Sequence, residues 1–167
     1  MRRAEQDDPR LVSLAKRRLE TAAFDALFAQ GMALVEEAAA YLDGAGREES
    51  ARLSRTALNA YAQQSLKLST RLMQLASWLL LQRSLREGEI RPATAERERG
   101  KIDLAGPPRE HAQEALLPEA LAALISRSYD LQEEIARLEA GLALPQEPVA
   151  NAVAGQIRRL RSSFEGE

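Results

Sequence analysis

Between Ser54 and Glu87 the chain contains neither glycine nor proline, and Gly88 follows at once. Nothing in that stretch breaks a helix, and Ser50 or Ser54 offers an N-cap hydroxyl at its start. From Ser54 this amounts to about 33 residues, or about 50 Å at 1.5 Å per residue. Leu58, Tyr61, Ser65, Leu68, Leu72, Leu75 and Leu79 form its seam, a seven-residue repeat that favours left-handed supercoiling. A helix of this length needs partners of similar length, so the sequence predicts a long antiparallel bundle.

Two further segments meet that need. Phe24, Leu27, Phe28, Gly31, Leu34, Val35, Ala38 and Leu42 recur in steps of three and four, which places one apolar stripe on a helix over residues 18–43. Asp43-Gly44-Ala45-Gly46 stops it, with Gly44 or Gly46 available for a left-handed C-cap, and Gly31, Ala38 and Ala39 let a neighbouring helix approach closely. The third helix, residues 118–141, opens at Pro118-Glu119, where proline loses no bond, and repeats the heptad seam at Leu121, Leu124, Ser128, Leu131, Ile135, Leu138 and Leu142.

A chain of 167 residues with 45% hydrophobic content supports one sizeable core. The expected fold is all-α: an antiparallel three-helix bundle over residues 1–144, with long helices and a charged linker, followed by a flexible C-terminal tail over 145–167. Glu89 to Leu117 loses periodicity in Glu96-Arg97-Glu98-Arg99 and Gly106-Pro107-Pro108, and reads as an exposed connector anchored by Ile102 and Leu104.

The long helix changes character halfway. Lys67, Arg71 and Gln74 lie opposite its seam, but further along that face becomes Trp78, Leu81 and Leu85. A helix apolar nearly all round must be covered on more than one side. Either the linker folds back over Trp78 or a second subunit covers it. We take a homodimer as the expectation, with Trp78, Leu81 and Leu85 at the interface. In the tail, Val149, Val153, Ile157 and Leu160 would share one face of a helix, and Arg158, Arg159 and Arg161 add a basic cluster. That is the pattern of a segment that folds on a partner, so Val153, Ile157, Arg158, Arg159, Leu160 and Arg161 are the candidate partner-binding residues.

Chemistry is harder to assemble from these residues. A di-iron site in a bundle needs Glu-x-x-His pairs, and the one histidine, His111, sits in the charged linker. Glu36-Glu37 and Glu48-Glu49 are neighbours that point about 100° apart on a helix. Gly44-Ala45-Gly46-Arg47 lacks the Lys-Ser/Thr pair of a phosphate loop. With no cysteine there is no thiol catalysis or thiolate metal site, and a reducing cytoplasm is the natural compartment. A net charge of -2 supplies no broad positive field of the kind that gives most non-specific nucleic-acid affinity, so no specific nucleic acid is expected as a partner, and Leu72 to Leu81 is far too short to span a membrane. The residues therefore predict no catalytic site, no metal and no cofactor, and proteins as the partners.

Two stretches carry a resemblance: Gly31-Met-Ala-Leu-Val-Glu-Glu-Ala-Ala-Ala-Tyr-Leu-Asp-Gly-Ala-Gly-Arg47, and Leu68-Ser-Thr-Arg-Leu-Met-Gln-Leu-Ala-Ser-Trp-Leu-Leu-Leu-Gln-Arg83 continuing to Arg86-Glu-Gly-Glu89. Over roughly Phe24 to Ile90 the sequence resembles the bacterial family whose characterised member is the regulator of CtrA degradation. The resemblance implies a dimeric three-helix bundle acting as a non-enzymatic adaptor. Its expected partners are the Clp (ClpXP) protease unfoldase or its other adaptors, and the cell-cycle regulatory proteins delivered for degradation. The alternative is a structural dimeric helical scaffold with no proteolytic link.

Overall fold

The residues that lose least on entering a helix dominate the chain, and helices account for its regular structure. The computed structural model describes the backbone of residues 9–143 and the side chains of residues 20–142. Among the described residues there are six helices and no strand, an all-α fold: α1 (Pro9–Asp43), α2 (Ala45–Ser50), α3 (Arg55–Arg86), α4 (Pro92–Arg99), α5 (His111–Glu114) and α6 (Glu119–Ala143). The chain divides into two compact units, Met1–Glu134 and Ile135–Glu167.

In the first unit, α1 begins earlier than its apolar stripe predicts, at Pro9, and the lysine, arginines and leucines before Phe24 are good helix formers. Its stripe is the predicted one, with Phe24, Leu27, Gly31, Leu34 and Ala38 buried. A Cβ built on Gly31 would collide with Leu79 Cδ1 of α3 and lie 3.6 Å from Leu131 Cδ2 of α6. Only a hydrogen fits where the three long helices meet.

The stop after α1 works differently from the expectation. Gly44 has φ -114° and ψ -108°, and its N–H donates to the Ala40 carbonyl at 3.0 Å. Neither Gly44 nor Gly46 is left-handed; among the described residues the glycines with positive φ are Gly88 and Gly106. Gly46 is needed for space instead. A Cβ there would fall 2.6 Å from Tyr61 Oη and 2.8 Å from both Tyr41 Cε1 and the Tyr41 carbonyl oxygen. The carbonyl cannot give way as a side-chain tip can. Gly46→Ala is expected to destabilise the fold by about 1–3 kcal/mol through overpacking, read as a lower urea midpoint with an unchanged slope.

Helix α3 is capped at its start by the Ser54 hydroxyl, which accepts from Ala57 N–H at 3.3 Å. At its end Gly88 takes φ 74°, Gly88 N–H donates to Leu85 O at 3.2 Å and Glu89 N–H to Ser84 O at 2.9 Å. That is a Schellman stop, which glycine adopts without steric cost. Tyr61, Leu68, Leu72, Leu75 and Leu79 of the predicted seam are buried, whereas Leu58 in its first turn is 44% exposed. On α6, Leu121, Leu124, Ser128 and Leu131 are buried. In the second unit Ile135 is buried, but Leu138 and Leu142 are 41% and 55% exposed, so the seam extends less far than the sequence predicts.

Cross-contacts fix the helix directions. Arg86 and Arg83 of α3 stack over Phe24 and Phe28 of α1 at 4.2 and 4.9 Å, with Gly31 against Leu79, so α1 and α3 run antiparallel. Gly31 near Leu131 and Glu37 paired with Arg127 at 2.7 Å make α1 antiparallel to α6 as well. Consequently α3 and α6 run parallel, each antiparallel to α1. The reason is the segment between them. It retraces α3 from end to beginning: Gln74 Oε1 accepts from Asp103 N–H at 3.0 Å, Glu110 accepts from Lys67 Nζ and Gln64 Nε2, and Leu116 to Glu119 come level with Leu53. Far from being an exposed connector, it folds α4 and α5 and buries Ala95 and Glu114. Ile102 and Leu104, its expected anchors, are half-buried.

Candidate interaction surfaces

Where the return segment meets α3 and α6, the chain buries an arginine. Arg71 is 6% exposed, its Nη1 donates to Ser128 Oγ at 2.9 Å, and its guanidinium lies 3.6 Å over the Tyr129 ring. The Ser128 hydroxyl in turn donates to Ile125 O at 2.7 Å. Burial disfavours the charged form and pushes the Arg71 pKa below the ordinary arginine value, an effect that the Glu114 carboxylate opposes and the Arg109 charge adds to. The same ring faces a second guanidinium, Arg109, at 5.2 Å, which clasps the buried Glu114 with bonds of 3.0, 3.0 and 2.8 Å. Hydrogen bonding to Glu114 holds Arg109 more firmly protonated than usual. This cluster is polar cement that fixes the return segment, and its neighbour is a cleft of about 230 Å³ lined by Leu66, Thr70, Arg71, Leu104, Pro107 and Gln132, among others.

Glu110 is the exposed end of that attachment. Hydrogen bonds from Lys67 and Gln64 at 2.6 and 2.7 Å hold its pKa below the ordinary glutamate value. A depressed carboxylate pKa contributes stability that is present above the unfolded-state value and lost as pH falls through the folded-state value. Glu110→Gln, which cannot titrate there, is therefore expected to show a smaller fall in Tm than wild type between pH 5 and pH 3. Equal falls in the two proteins would mean that the contact carries no weight.

At the other end of the return segment, Leu53, Leu116, Leu117, Ala120 and Ala123 floor an open groove of about 730 Å³ rimmed by Glu49, Arg52 and Glu119. Residues from two distant parts of the chain, 49–53 and 116–123, build it, so no local pattern in the sequence announces it.

The residues expected at a subunit interface are arranged differently from the expectation. Trp78 is 1% exposed within the single chain, so no second subunit is needed to keep its ring from water. The returning segment packs α4 on α3 and buries Ala95. Leu81 and Leu85 are half-buried. The exposed large apolar side chains of α3 are instead Leu58, Leu66, Met73 and Leu80. Val153, Ile157, Arg158, Arg159, Leu160 and Arg161 lie outside the described residues.

Among the described residues no three of His, Asp and Glu are grouped to hold a metal ion, His111 is exposed, and no helix is long and apolar enough to cross a membrane. What the described surface offers is shape: a groove, a cleft and an apolar helix face.

Comparison with known proteins agrees with the resemblance of the first two long helices. No curated protein matches the chain. The crystal structure of RcdA from Caulobacter crescentus CB15 is 45% identical, and the match covers 74% of this chain and 92% of that one with a TM-score of 0.61. The family model described as a protein of unknown function, DUF1465, matches residues 15–164. The chain therefore belongs to the RcdA-like DUF1465 family.

Proposed function

We propose that the protein is a non-enzymatic, homodimeric adaptor of the bacterial cytoplasm that helps deliver cell-cycle regulatory proteins to the Clp (ClpXP) protease. The observation that carries this reading is the 45% identity to RcdA across 92% of that chain. The geometry supports it in kind, since an adaptor needs a rigid frame with several exposed surfaces rather than reacting groups. The Arg71 cluster fixes the return segment to α3 and α6, and the groove floored by Leu53 and Leu116 presents apolar surface within a charged rim.

A pull-down of the Clp unfoldase on the immobilised protein tests the reading, together with degradation of a cell-cycle regulator by ClpXP with and without it. Retention of the unfoldase or of a co-adaptor, and faster loss of the regulator, are expected. A dimer that retains none of them and leaves every degradation rate unchanged would return the protein to the scaffold class.

A further inference from the structure

The cleft beside the return segment holds a charge that no carboxylate meets. Arg71, 6% exposed, is one of its lining residues. A guanidinium keeps its proton in a protein, so Arg71 stays a cation. Its Nη1 bonds a neutral hydroxyl, Ser128 Oγ, its guanidinium lies over the Tyr129 ring, and the buried carboxylate nearby, Glu114, is already gripped by Arg109. Arg71 Nε has no hydrogen-bond partner among the described residues. A buried charge in this condition is costly until a counter-ion and a hydrogen bond meet it.

Gln132 brings the opposite need. Its Nε2 donates to Ala105 O at 2.7 Å, which fixes the end of the amide that carries oxygen, and that Oε1 accepts from no described residue. Gln132 follows Ser128, the partner of Arg71, by four residues on α6, about 6 Å along the axis. The N–H and the carboxylate of one amino-acid residue, joined through one Cα and each making a bond of about 2.9 Å, span such a gap. The walls suit its side chain: Leu66, Leu75, Leu104 and Pro107 are apolar, and about 230 Å³, several times the roughly 30 Å³ share of one water, holds one residue. A free amino acid fits worse, because its ammonium brings three protons to one unmet acceptor and adds positive charge beside Arg71 and Lys67. The carboxylate on the rim, Asp103, is exposed and turned onto its own loop, where Oδ1 accepts from Ala105 and Gly106 N–H. Arg71 Nε and Gln132 Oε1 are both closed off from solvent. An occupant reaches them as the strap Asp103–Pro107 yields, and that strap is held by two side-chain bonds, from Asp103 N–H to Gln74 and from Gln132 to Ala105 O.

We infer that this cleft binds the free C-terminal residue of a polypeptide, one with an aliphatic side chain, taking its carboxylate on Arg71 and its backbone N–H on Gln132. The inference stands on the cleft alone, goes beyond delivery to the protease, and holds whether or not the Clp unfoldase is retained in the pull-down.

Two-dimensional NMR of the isotope-labelled full chain tests it with acetyl-alanyl-leucine. With its carboxylate free, the peptide should move the Arg71 Nε–H and Gln132 side-chain amide resonances together and saturably. The same peptide closed as a C-terminal amide should bind about tenfold more weakly, the difference between a charge-assisted and a neutral hydrogen bond. Free leucine should also bind more weakly than the peptide. Leu66 is 69% exposed at the cleft mouth, so Leu66→Asp keeps the fold, sets a carboxylate against that of the ligand, and should weaken peptide binding by a similar factor. A peptide that moves neither resonance leaves the unmet pair to a bridging water and ends the inference. Equal affinity for acid and amide means that the Arg71 charge is not read, tighter binding of free leucine gives the cleft to a free amino acid, and unchanged affinity in Leu66→Asp puts the site elsewhere. Each of these results overturns the assignment.

Discussion

Replacing Trp78 with alanine should unfold the protein well before it dissociates it. Trp78 is the largest of the fully buried side chains, 1% exposed in the single chain, on a helix against which both α1 and α4 pack. Truncating a buried tryptophan removes its transfer free energy and leaves a void that close-packed neighbours refill only in part, at a cost of about 3–5 kcal/mol. For a chain of this size each kcal/mol lowers Tm by about 2–4 °C, so a fall on the order of 10 °C is expected. Leu81→Ala, at a half-buried position three residues further along the helix, should cost clearly less. Sedimentation below the new melting point should give the wild-type oligomeric state. A Trp78→Ala protein that melts like wild type but falls apart into monomers would reverse this assignment and restore the ring to a subunit interface.

That expectation differs from the sequence reading for a definable reason. Heptad spacing showed that α3 is apolar on the Trp78 side as well as along its seam, and the burial of Trp78 agrees. Spacing cannot say what does the covering. The segment from Glu89 to Leu117 packs on α3 through α4 and through single polar contacts: Gln74 to Asp103, Lys67 and Gln64 to Glu110. These join residues 29, 43 and 46 positions apart, and none leaves a periodic trace. Likewise α4, PATAERER, buries little beyond Ala95, so its charged sequence reads as solvated connector although it is a helix. By contrast, the Gly88 stop, the Ser54 cap, the α1 stripe and the close approach at Gly31 were legible because each depends on one residue's own geometry or on local spacing. The parallel run of α3 and α6 follows from the return path and was invisible for the same reason as the path. Gly46 was read as a helix stop when its function is to make room for Tyr41 and Tyr61, a contact across elements that no local rule encodes.

The second large effect is expected on function and not on stability, from removing Val149 to Glu167. The described end of α6 is weakly held by apolar contact, with Leu138 and Leu142 41% and 55% exposed, so little buried surface is at stake near the cut. Surface changes of this kind cost within about 0.5 kcal/mol, or about 2 °C in Tm. Yet the family model reaches residue 164, so most of this segment belongs to the pattern that defines the family. Val153, Ile157 and Leu160 recur at helical spacing beside Arg158, Arg159 and Arg161, which is how a segment presents apolar anchors and a basic flank to an acidic partner surface. Delivery of at least some substrates to the protease should therefore be lost while the truncated protein keeps the wild-type oligomeric state. The intact protein should bind those substrates more weakly as salt rises from 0.1 M toward 1 M, where the screening length shrinks from about 10 Å to about 3 Å. Replacing the three arginines with glutamine should flatten that salt dependence and leave Tm unchanged, whereas Ile157→Asp should weaken binding at every salt concentration. Wild-type degradation of every tested substrate by the truncated protein would sink the idea, and a truncation that melts far lower would show the segment to be part of the fold.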